Sequence, residues 1–207
     1  MSLLDMAGPP FNPLDKTTLA KTVAEELLNR PCEPLPPEEA FDGAGIYAVY
    51  YVGPFKPYEL ISRRNREDKY ELPIYVGKAV PPGARKGGFH LGEAPGQVLY
   101  RRLVEHARTI EEAENLALKE FSCRYLVAED IWIPLAEQML IEMFSPVWNT
   151  VVDGFGNHDP GAGRRKQQRS RWDTVHPGRD WARKQKPNVR SVREILRELR
   201  SKSGEES

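Results

Sequence analysis

Three short runs of β-branched and aromatic residues predict the strands of a small sheet. The first spans Gly45 to Gly53, the second Pro73 to Ala79 and the third Phe121 to Val127. Val, Ile and Tyr favour a pleated surface, and the Gly and Pro residues around the first two runs mark turns. The polar segment from Pro54 to Leu72 separates these two runs and is unusually long for the loop of a simple hairpin.

Four segments repeat apolar residues at helical spacing. The predicted helices span Asp15 to Leu28, Val98 to Leu118, Pro134 to Phe144, and Ser191 to Leu199. The second has an apolar stripe formed by Leu99, Leu103, Ala107 and Ile110. The first helix could brace the core or pack on a second subunit. The last could equally dock on its own core or take part in a dimer contact.

Charge is distributed unevenly along a chain that is neutral overall. The 207 residues are enough for a substantial core, and 30 Lys and Arg balance 30 Asp and Glu. That balance argues at first against a nucleic-acid-binding protein. However, residues 101–160 hold five basic and eleven acidic residues, whereas residues 161–202 hold fourteen and four. The basic end indicates a surface for a polyanion, with a solvated, partly disordered tail as the alternative.

The cysteines and the hydropathy indicate a reducing, non-membrane environment. Cys32 and Cys123 lie far apart without the spacing of a metal site, so we expect free thiols. The chain opens with no charged-then-apolar leader, and no apolar run is long enough to span a bilayer. We therefore expect a soluble, cytoplasmic protein without a membrane partner.

Two local patterns carry candidate chemistry. Lys78 precedes a glycine-rich basic loop that contains Arg85 and Lys86. Such a loop allows backbone and cations to approach a phosphate chain closely, although an ordinary surface turn explains it equally well. Arg102 and His106 lie four residues apart and so share one face of the second predicted helix. Taken alone, each is more often a surface or capping group.

The order of these features resembles a known superfamily of nucleases. Gly45-Ile46-Tyr47 and Tyr75-Val76-Gly77 are followed by the helix with Arg102 and His106, a strand, and a helix with Glu137. Pro146 and Asn149 then close the pattern, which resembles the GIY-YIG nuclease superfamily, with Val76 in place of the usual Ile. The long insert, the histidine at 106 and the tail at 153–161 resemble its type II restriction endonucleases, in particular those that cut the palindrome CCGCGG.

The resemblance implies a fold and a domain organisation. It implies an α+β fold, an α/β sandwich with a small, mainly antiparallel sheet flanked by helices. Residues 1–40 would form an N-terminal helical arm and linker, and residues 41–152 the catalytic core. Residues 153–207 would form a basic extension for DNA recognition and dimerisation.

The resemblance also assigns catalytic roles. Tyr47 would be the general base for the attacking water, with a hydrogen bond from His106, and Arg102 would clamp the scissile phosphate. Tyr75 would orient the phosphate or the water, and Asn149 would position a neighbouring group. Glu137 would be the single protein ligand of one Mg²⁺, for which Mn²⁺ could substitute, and no organic cofactor is expected. Glu142 is read as a surface charge and is the substitute ligand if the spacing misleads.

Recognition of a site made only of G·C pairs favours Arg or Lys bound to guanine O6 and N7. Candidate DNA contacts in the extension are Arg164, Arg165, Gln168, Arg169, Arg171 and Arg179, together with the shorter polar groups Asn157, His158 and Asp173. Lys78, Arg85 and Lys86 are candidate contacts in the core. For each residue, a phosphate contact or a solvated charge is the alternative.

A palindromic target implies a homodimer on double-stranded DNA. Two other functions stay open at this point. A repair or homing-type nuclease of the same fold would act as a monomer on damaged or longer sites. A non-cleaving DNA-binding module would be expected to lack Tyr47, Arg102 or Glu137, and all three are present.

Overall fold

A four-stranded antiparallel sheet forms the centre of the computed structural model, which describes residues 16–81, 95–161 and 166–202. The strands are β1 (Glu33–Pro34), β2 (Gly45–Tyr51), β3 (Tyr75–Ala79) and β4 (Phe121–Val127), and their order across the sheet is β1-β4-β2-β3. Three of them coincide with the three predicted runs, and β4 does so residue for residue. Together with the helices below, this confirms the predicted α+β fold.

Strand β2 is buried along its whole length because both faces of the sheet are covered. Side chains alternate between the two faces, as in any strand. Tyr47, Val49 and Tyr51 enter one apolar cluster, which we call the first face. Ile46 and Tyr50 enter a separate cluster, which we call the second face.

Different helices cover the two faces. Helix α3 (Val98–Glu111) packs on the first face through the predicted stripe of Leu99, Leu103, Ala107 and Ile110. Helices α1 (Lys16–Asn29) and α4 (Ile133–Phe144) pack together on the second face. The arm helix α1 therefore braces the core of its own chain. This is one of the two arrangements that the sequence left open for it, the other being packing on a second subunit. Within the described residues, no helix is both long and apolar enough to cross a lipid bilayer.

The segment between β2 and β3 is structured rather than a loop. It contains a 3-10 turn at Lys56–Tyr58 and the short helix α2 (Glu59–Asn65). The buried side chain of Asn65 donates to the carbonyls of Tyr51 and Leu72 and accepts from the amide of Leu72. These hydrogen bonds bring the ends of the insert back to the sheet.

The basic extension folds onto the same core. It contains α6 (Arg171–Val175), α7 (Asp180–Arg183) and α8 (Val192–Lys202), and the short helix α5 (Val147–Thr150) lies just before it. Ile195 and Leu199 of α8 are buried in the first-face cluster with Tyr47, so this helix docks on its own chain.

Helix α3 is shorter than predicted because the residues after it bond to the extension. The amide of Glu114 donates to the carbonyl of Pro177, and the side chain of Asn115 donates to the carbonyl of Val175. A separate 3-10 turn at Leu118–Glu120 then leads into β4. These long-range contacts have no counterpart in the local periodicity that predicted a helix to Leu118.

A buried histidine holds the insert, α5 and the extension together. Nε2 of His176 lies 2.7 Å from the hydroxyl of Tyr58, which also accepts a hydrogen bond from Nε1 of Trp148. Nδ1 of His176 lies 2.9 Å from Oδ1 of Asn115. Burial lowers the pKa of His176 from 6.5 to about 3, because the charged imidazolium is poorly solvated there.

This histidine should make the protein sensitive to acid. Between pH 6.5 and 3 the unfolded chain protonates His176 whereas the folded chain does not, so the free energy of unfolding should fall as the pH falls. The contribution approaches about 1.4 kcal/mol per pH unit inside that window. Urea unfolding at several pH values should give a slope that is shallower in His176→Gln than in the wild type by about this contribution, because the other buried groups remain in both proteins.

The exposed His158 provides the matched control. His158→Gln makes the same replacement at an exposed side chain, so its slope is the reference against which His176→Gln is compared. Equal slopes for the wild type and His176→Gln would contradict the account of the buried network.

Candidate active site

The two tyrosine-containing tripeptides meet at a point where only glycine fits. Tyr47 on β2 lies opposite Gly77 on β3, and its side chain is fully buried. A Cβ atom on Gly77 would lie 2.4 Å from the hydroxyl oxygen of Tyr47 and 2.6 Å from its ring carbon Cζ. The absent side chain at Gly77 thus provides the space through which the phenol passes.

The hydroxyl of Tyr47 contacts a buried imidazole from α3. Nε2 of His106 lies 2.5 Å from the hydroxyl oxygen. Burial and the positive charge of Arg102 lower the pKa of His106, so this imidazole is neutral. Among the described residues, its other ring nitrogen, Nδ1, has no hydrogen-bond partner.

Burial also makes the phenolate of Tyr47 costly. Its pKa lies well above the usual value because of burial and the neighbouring Tyr75, and Arg102 opposes this rise. Neither Tyr47 nor His106 therefore carries a charge in the free protein. In the free protein the pair is therefore a neutral hydrogen bond between a phenol and an imidazole.

Arg102 lies one helical turn before His106, as the spacing predicts. Its guanidinium donates to the carbonyl of Gly156 at 3.2 Å and to Glu105 Oε2 at 3.1 Å. It also lies 3.0 Å from Nε2 of His158. About a quarter of the Arg102 side chain, 24%, is exposed, so the guanidinium remains accessible to a phosphate.

Tyr75 links this group to the edge of the sheet. Its ring meets His106 edge-on, with 5.3 Å between the ring centroids, and meets Phe155 edge-on at 4.9 Å. Burial raises the pKa of Tyr75, Arg102 lowers it, and the carboxylate of Glu137 raises it further. Tyr75 is therefore within electrostatic reach of both Arg102 and Glu137.

Glu137 approaches from α4, on the second face of the sheet. Its Oε2 lies 2.5 Å from Nζ of Lys78 on β3, and both side chains are partly exposed. Glu142 on the same helix is exposed, as expected for a surface charge. Lys78, which we predicted as a DNA contact, is thus the ion-pair partner of the predicted metal ligand.

The donor set suits a hard cation that keeps most of its water. The described residues contain no group of three or more His, Cys, Asp or Glu side chains that could hold a metal ion. A single carboxylate such as that of Glu137 fits Mg²⁺, which is commonly held by one or two carboxylates, with water and substrate phosphate completing the shell. A bound cation would compete with the ammonium group of Lys78 for Oε2.

Asn149 fixes the backbone of the edge strand. Its side-chain oxygen accepts from the amide of Val76 at 2.9 Å, and its side-chain nitrogen donates to the carbonyl of Val76 at 2.8 Å. Asn149 thereby pairs with β3 as another strand would. It holds the peptide that lies between Tyr75 and Gly77.

The predicted DNA contacts fall into three groups. Arg85, Lys86, Arg164 and Arg165 lie outside the described residues. Asn157, His158 and Gln168 are exposed and help to line a cavity of about 380 Å³ beside Arg102, together with Trp181. Arg169 and Arg179 instead bond inside the extension, and Arg171 bonds to the carbonyl of Val151 in the core.

Burial argues against the direct DNA contacts that we expected for Arg179 and Asp173. Their side chains form an ion pair, and each is only 2% exposed. Arg171 is also engaged, because it donates to the carbonyl of Val151 and to Glu198. The count of basic residues in the extension therefore overstates the charge that is free to meet DNA.

Sequence reasoning missed the part that Phe155 plays. Its ring stacks on His106 with 4.4 Å between centroids and an angle of 17° between the planes. A Cβ atom on Gly156, whose φ is +76°, would lie 2.6 Å from Cε1 of His106 and 2.9 Å from the guanidinium of Arg102. The available signal was the Gly154-Phe155-Gly156 run, in which an aromatic residue stands between two glycines.

Comparison with known proteins places the chain in a family. The family model described as the Eco29kI GIY-YIG domain matches residues 39–202. A search of curated proteins gives no match. The matched region includes Tyr47, Arg102, His106 and Glu137, and it extends through α8. With most of its length matched, the chain belongs to the Eco29kI family, in the restriction endonuclease branch of the GIY-YIG nucleases.

Proposed function

We propose that this nuclease is a type II restriction endonuclease that hydrolyses double-stranded DNA at the palindrome CCGCGG. The observation that carries the proposal is the 2.5 Å contact of the Tyr47 hydroxyl with His106, with Arg102 one turn away on the same helix. Hydrolysis of a phosphodiester requires a base for the water and positive charge for the transition state. This group of side chains offers both.

Tyr47 acts as the general base in partnership with His106. As the phenol oxygen takes a proton from the attacking water, the phenol proton passes to Nε2 of His106. The phenol stays neutral and the imidazole becomes charged. This route avoids a free phenolate, which the raised pKa of Tyr47 makes costly, but it places a charge on His106, whose lowered pKa makes an imidazolium costly in the free protein. A phosphate bound by Arg102 would offset that cost, because its negative charge favours the imidazolium.

The substrate must first give water access to the buried hydroxyl of Tyr47. Tyr47 has no exposed surface in the free protein, whereas Arg102 and Tyr75 are partly exposed beside it. A phosphate that binds the guanidinium of Arg102 would draw one terminal nitrogen from Glu105, while the other keeps its bond to the carbonyl of Gly156, and would admit water between Arg102 and Tyr75. Arg102 would then clamp the phosphate and stabilise its developing negative charge.

Glu137 would hold the divalent cation, which when bound would supply charge neutralisation at the phosphate and its leaving oxygen. Lys78, whose partner in the free protein is Glu137, would then be available to a DNA phosphate, as its sequence position suggested. Asn149 keeps Tyr75 in place through the backbone of Val76.

The restriction activity is favoured over the two alternatives by specific observations. The family match falls in the restriction branch rather than among repair or homing nucleases. A binding module that had lost cleavage would have no need for a buried Tyr47–His106 pair. Exposed Asn157, His158 and Gln168 beside Arg102 are suitably placed to read base edges.

Replacement of Tyr47 by Phe should abolish cleavage while DNA binding persists. Loss of such a transition-state interaction costs about 2.7–4 kcal/mol, a factor of about 10²–10³ in rate. Cleavage of a CCGCGG-containing plasmid in Mg²⁺, and gel-shift affinity in Ca²⁺, measure the two activities separately.

Tyr51 is the matched control, because it lies on the same strand and face and its hydroxyl accepts from the amide of Phe55. Tyr51→Phe should cut at close to the wild-type rate. Near-normal cleavage by Tyr47→Phe would show that Tyr47 is not the general base.

Glu137→Gln should lose Mg²⁺-dependent cleavage, whereas Glu142→Gln on the same helix should retain it. The neutral amide is a poor ligand for a hard cation, and the expected loss is again about 10²-fold or more. Titration of Mg²⁺ into single-turnover reactions, with EDTA as the blank, gives the metal dependence of each variant. If Glu142→Gln lost cleavage and Glu137→Gln retained it, Glu142 rather than Glu137 would be the metal ligand.

The protein should bind a cognate duplex as a homodimer, with one active site for each strand. Sedimentation of the protein with a CCGCGG duplex should give two protein chains per duplex. A complex that remains at one chain per duplex when protein is in excess would rule out the symmetric arrangement.

A further inference from the structure

Within the described part of the chain, the side chain of Arg179 is buried, and its hydrogen bonds and ring contacts all lie inside the extension. Nε and one terminal nitrogen donate to the two oxygens of Asp173, at 2.6 and 2.7 Å. The planar guanidinium also lies against two rings, 4.8 Å from the centroid of Trp172 and 4.6 Å from that of Trp181. An arginine so enclosed is held in a single position.

The remaining donors of Arg179 hold one loop at two points. One terminal nitrogen donates to the carbonyl of Asn157 at 2.7 Å, and the other donates to the carbonyl of Gly154 at 3.3 Å. These carbonyls lie on either side of Phe155 and Gly156. We call residues 154–158 the GFG loop.

The GFG loop contacts three of the proposed catalytic side chains. The carbonyl of Gly156 accepts from Arg102, and Phe155 stacks on His106 and meets Tyr75 edge-on. His158, at the end of the loop, lies 3.0 Å from the guanidinium of Arg102. Movement of this loop would therefore displace the phosphate clamp and the partner of the base together.

We propose that Arg179, paired with Asp173, is a positioning residue that fixes the GFG loop and thereby sets the placement of Arg102 and His106 for cleavage. This inference rests on the proposed function. Under this proposal, part of the basic extension supports the active site instead of contacting DNA.

Only arginine can make this set of contacts. A planar guanidinium presents five donors in a fixed fork, so it can bind a carboxylate with two nitrogens while still reaching two carbonyls. Lysine has the same charge but only three donors, all on one nitrogen, so it cannot make the four hydrogen bonds by which Arg179 holds Asp173, Gly154 and Asn157. Arg179→Lys therefore keeps the charge and removes the geometry.

The test compares wild type, Arg179→Lys and Arg124→Lys. Arg124 is the matched control, because its half-buried guanidinium also bonds to carbonyls and lies over a tyrosine ring, but away from the proposed catalytic residues. Single-turnover cleavage of a CCGCGG duplex in Mg²⁺ gives the rate of the chemical step. Affinity for the same duplex in Ca²⁺, measured over a range of salt concentrations, gives binding and the number of phosphate contacts.

Arg179→Lys should cleave about 10- to 100-fold more slowly, a loss typical of misplaced catalytic groups. Its affinity and salt dependence should match the wild type, and Arg124→Lys should match the wild type in both assays. In an Arg102→Lys background, Arg179→Lys should cost much less, because residues that act through one another are not additive.

Three results would overturn the proposal: an unchanged cleavage rate, additive losses with Arg102→Lys, or weaker DNA binding with a salt slope shallower by about 0.9, which marks a lost phosphate contact. Circular dichroism identifies a temperature at which each variant is folded. If Arg179→Lys is not folded, Asp173→Asn carries the same test, since it weakens the two-nitrogen bond without changing size. Absence of cleavage by the wild type would refute the proposed function instead.

Discussion

The enclosed contact between the Tyr47 hydroxyl and Nε2 of His106 is the constraint around which the rest of the site is arranged. It requires the register that places Gly77 opposite Tyr47, because any side chain at Gly77 would occupy the space of the phenol. It also requires α3 to lie on the first face, so that His106 points at the strand. Burial keeps both groups neutral in the free protein, so the proposed proton transfer to His106 needs the negative charge of a bound phosphate to make it favourable.

The sheet and the C-terminal extension both supply side chains that surround this pair. The sheet supplies Tyr47 and Tyr75, whereas the segment after the predicted core supplies Phe155, which stacks on His106. Helix α8 lies in the same apolar cluster as Tyr47, so the extension is packed as part of the catalytic unit. Much of its positive charge is used internally, where guanidinium groups bind backbone carbonyls that the short helices leave unpaired.

Sequence patterns could predict the parts of the site that depend on local geometry. Local patterns placed Tyr47 on a strand with a recognisable β-branched run and put Arg102 and His106 on one face of a helix, whereas it was the resemblance to the GIY-YIG nucleases that assigned them to a site. The end of α3 could not be predicted, because it depends on hydrogen bonds from Glu114 and Asn115 to residues about 60 positions later. The pairing of Glu137 with Lys78 likewise depends on how α4 packs against β3.

The burial of Arg179 was the least accessible feature, because a charge count treats every arginine as solvated. Its position depends on Asp173, Trp172 and Trp181 meeting around one guanidinium.

The central claim, a single strand-cutting centre with sequence specificity, is tested most directly by digesting plasmid DNA with the purified protein and Mg²⁺ and sequencing the fragment ends. The account predicts discrete fragments whose ends all lie within CCGCGG. Intact plasmid, or ends scattered over unrelated sequences, would contradict it.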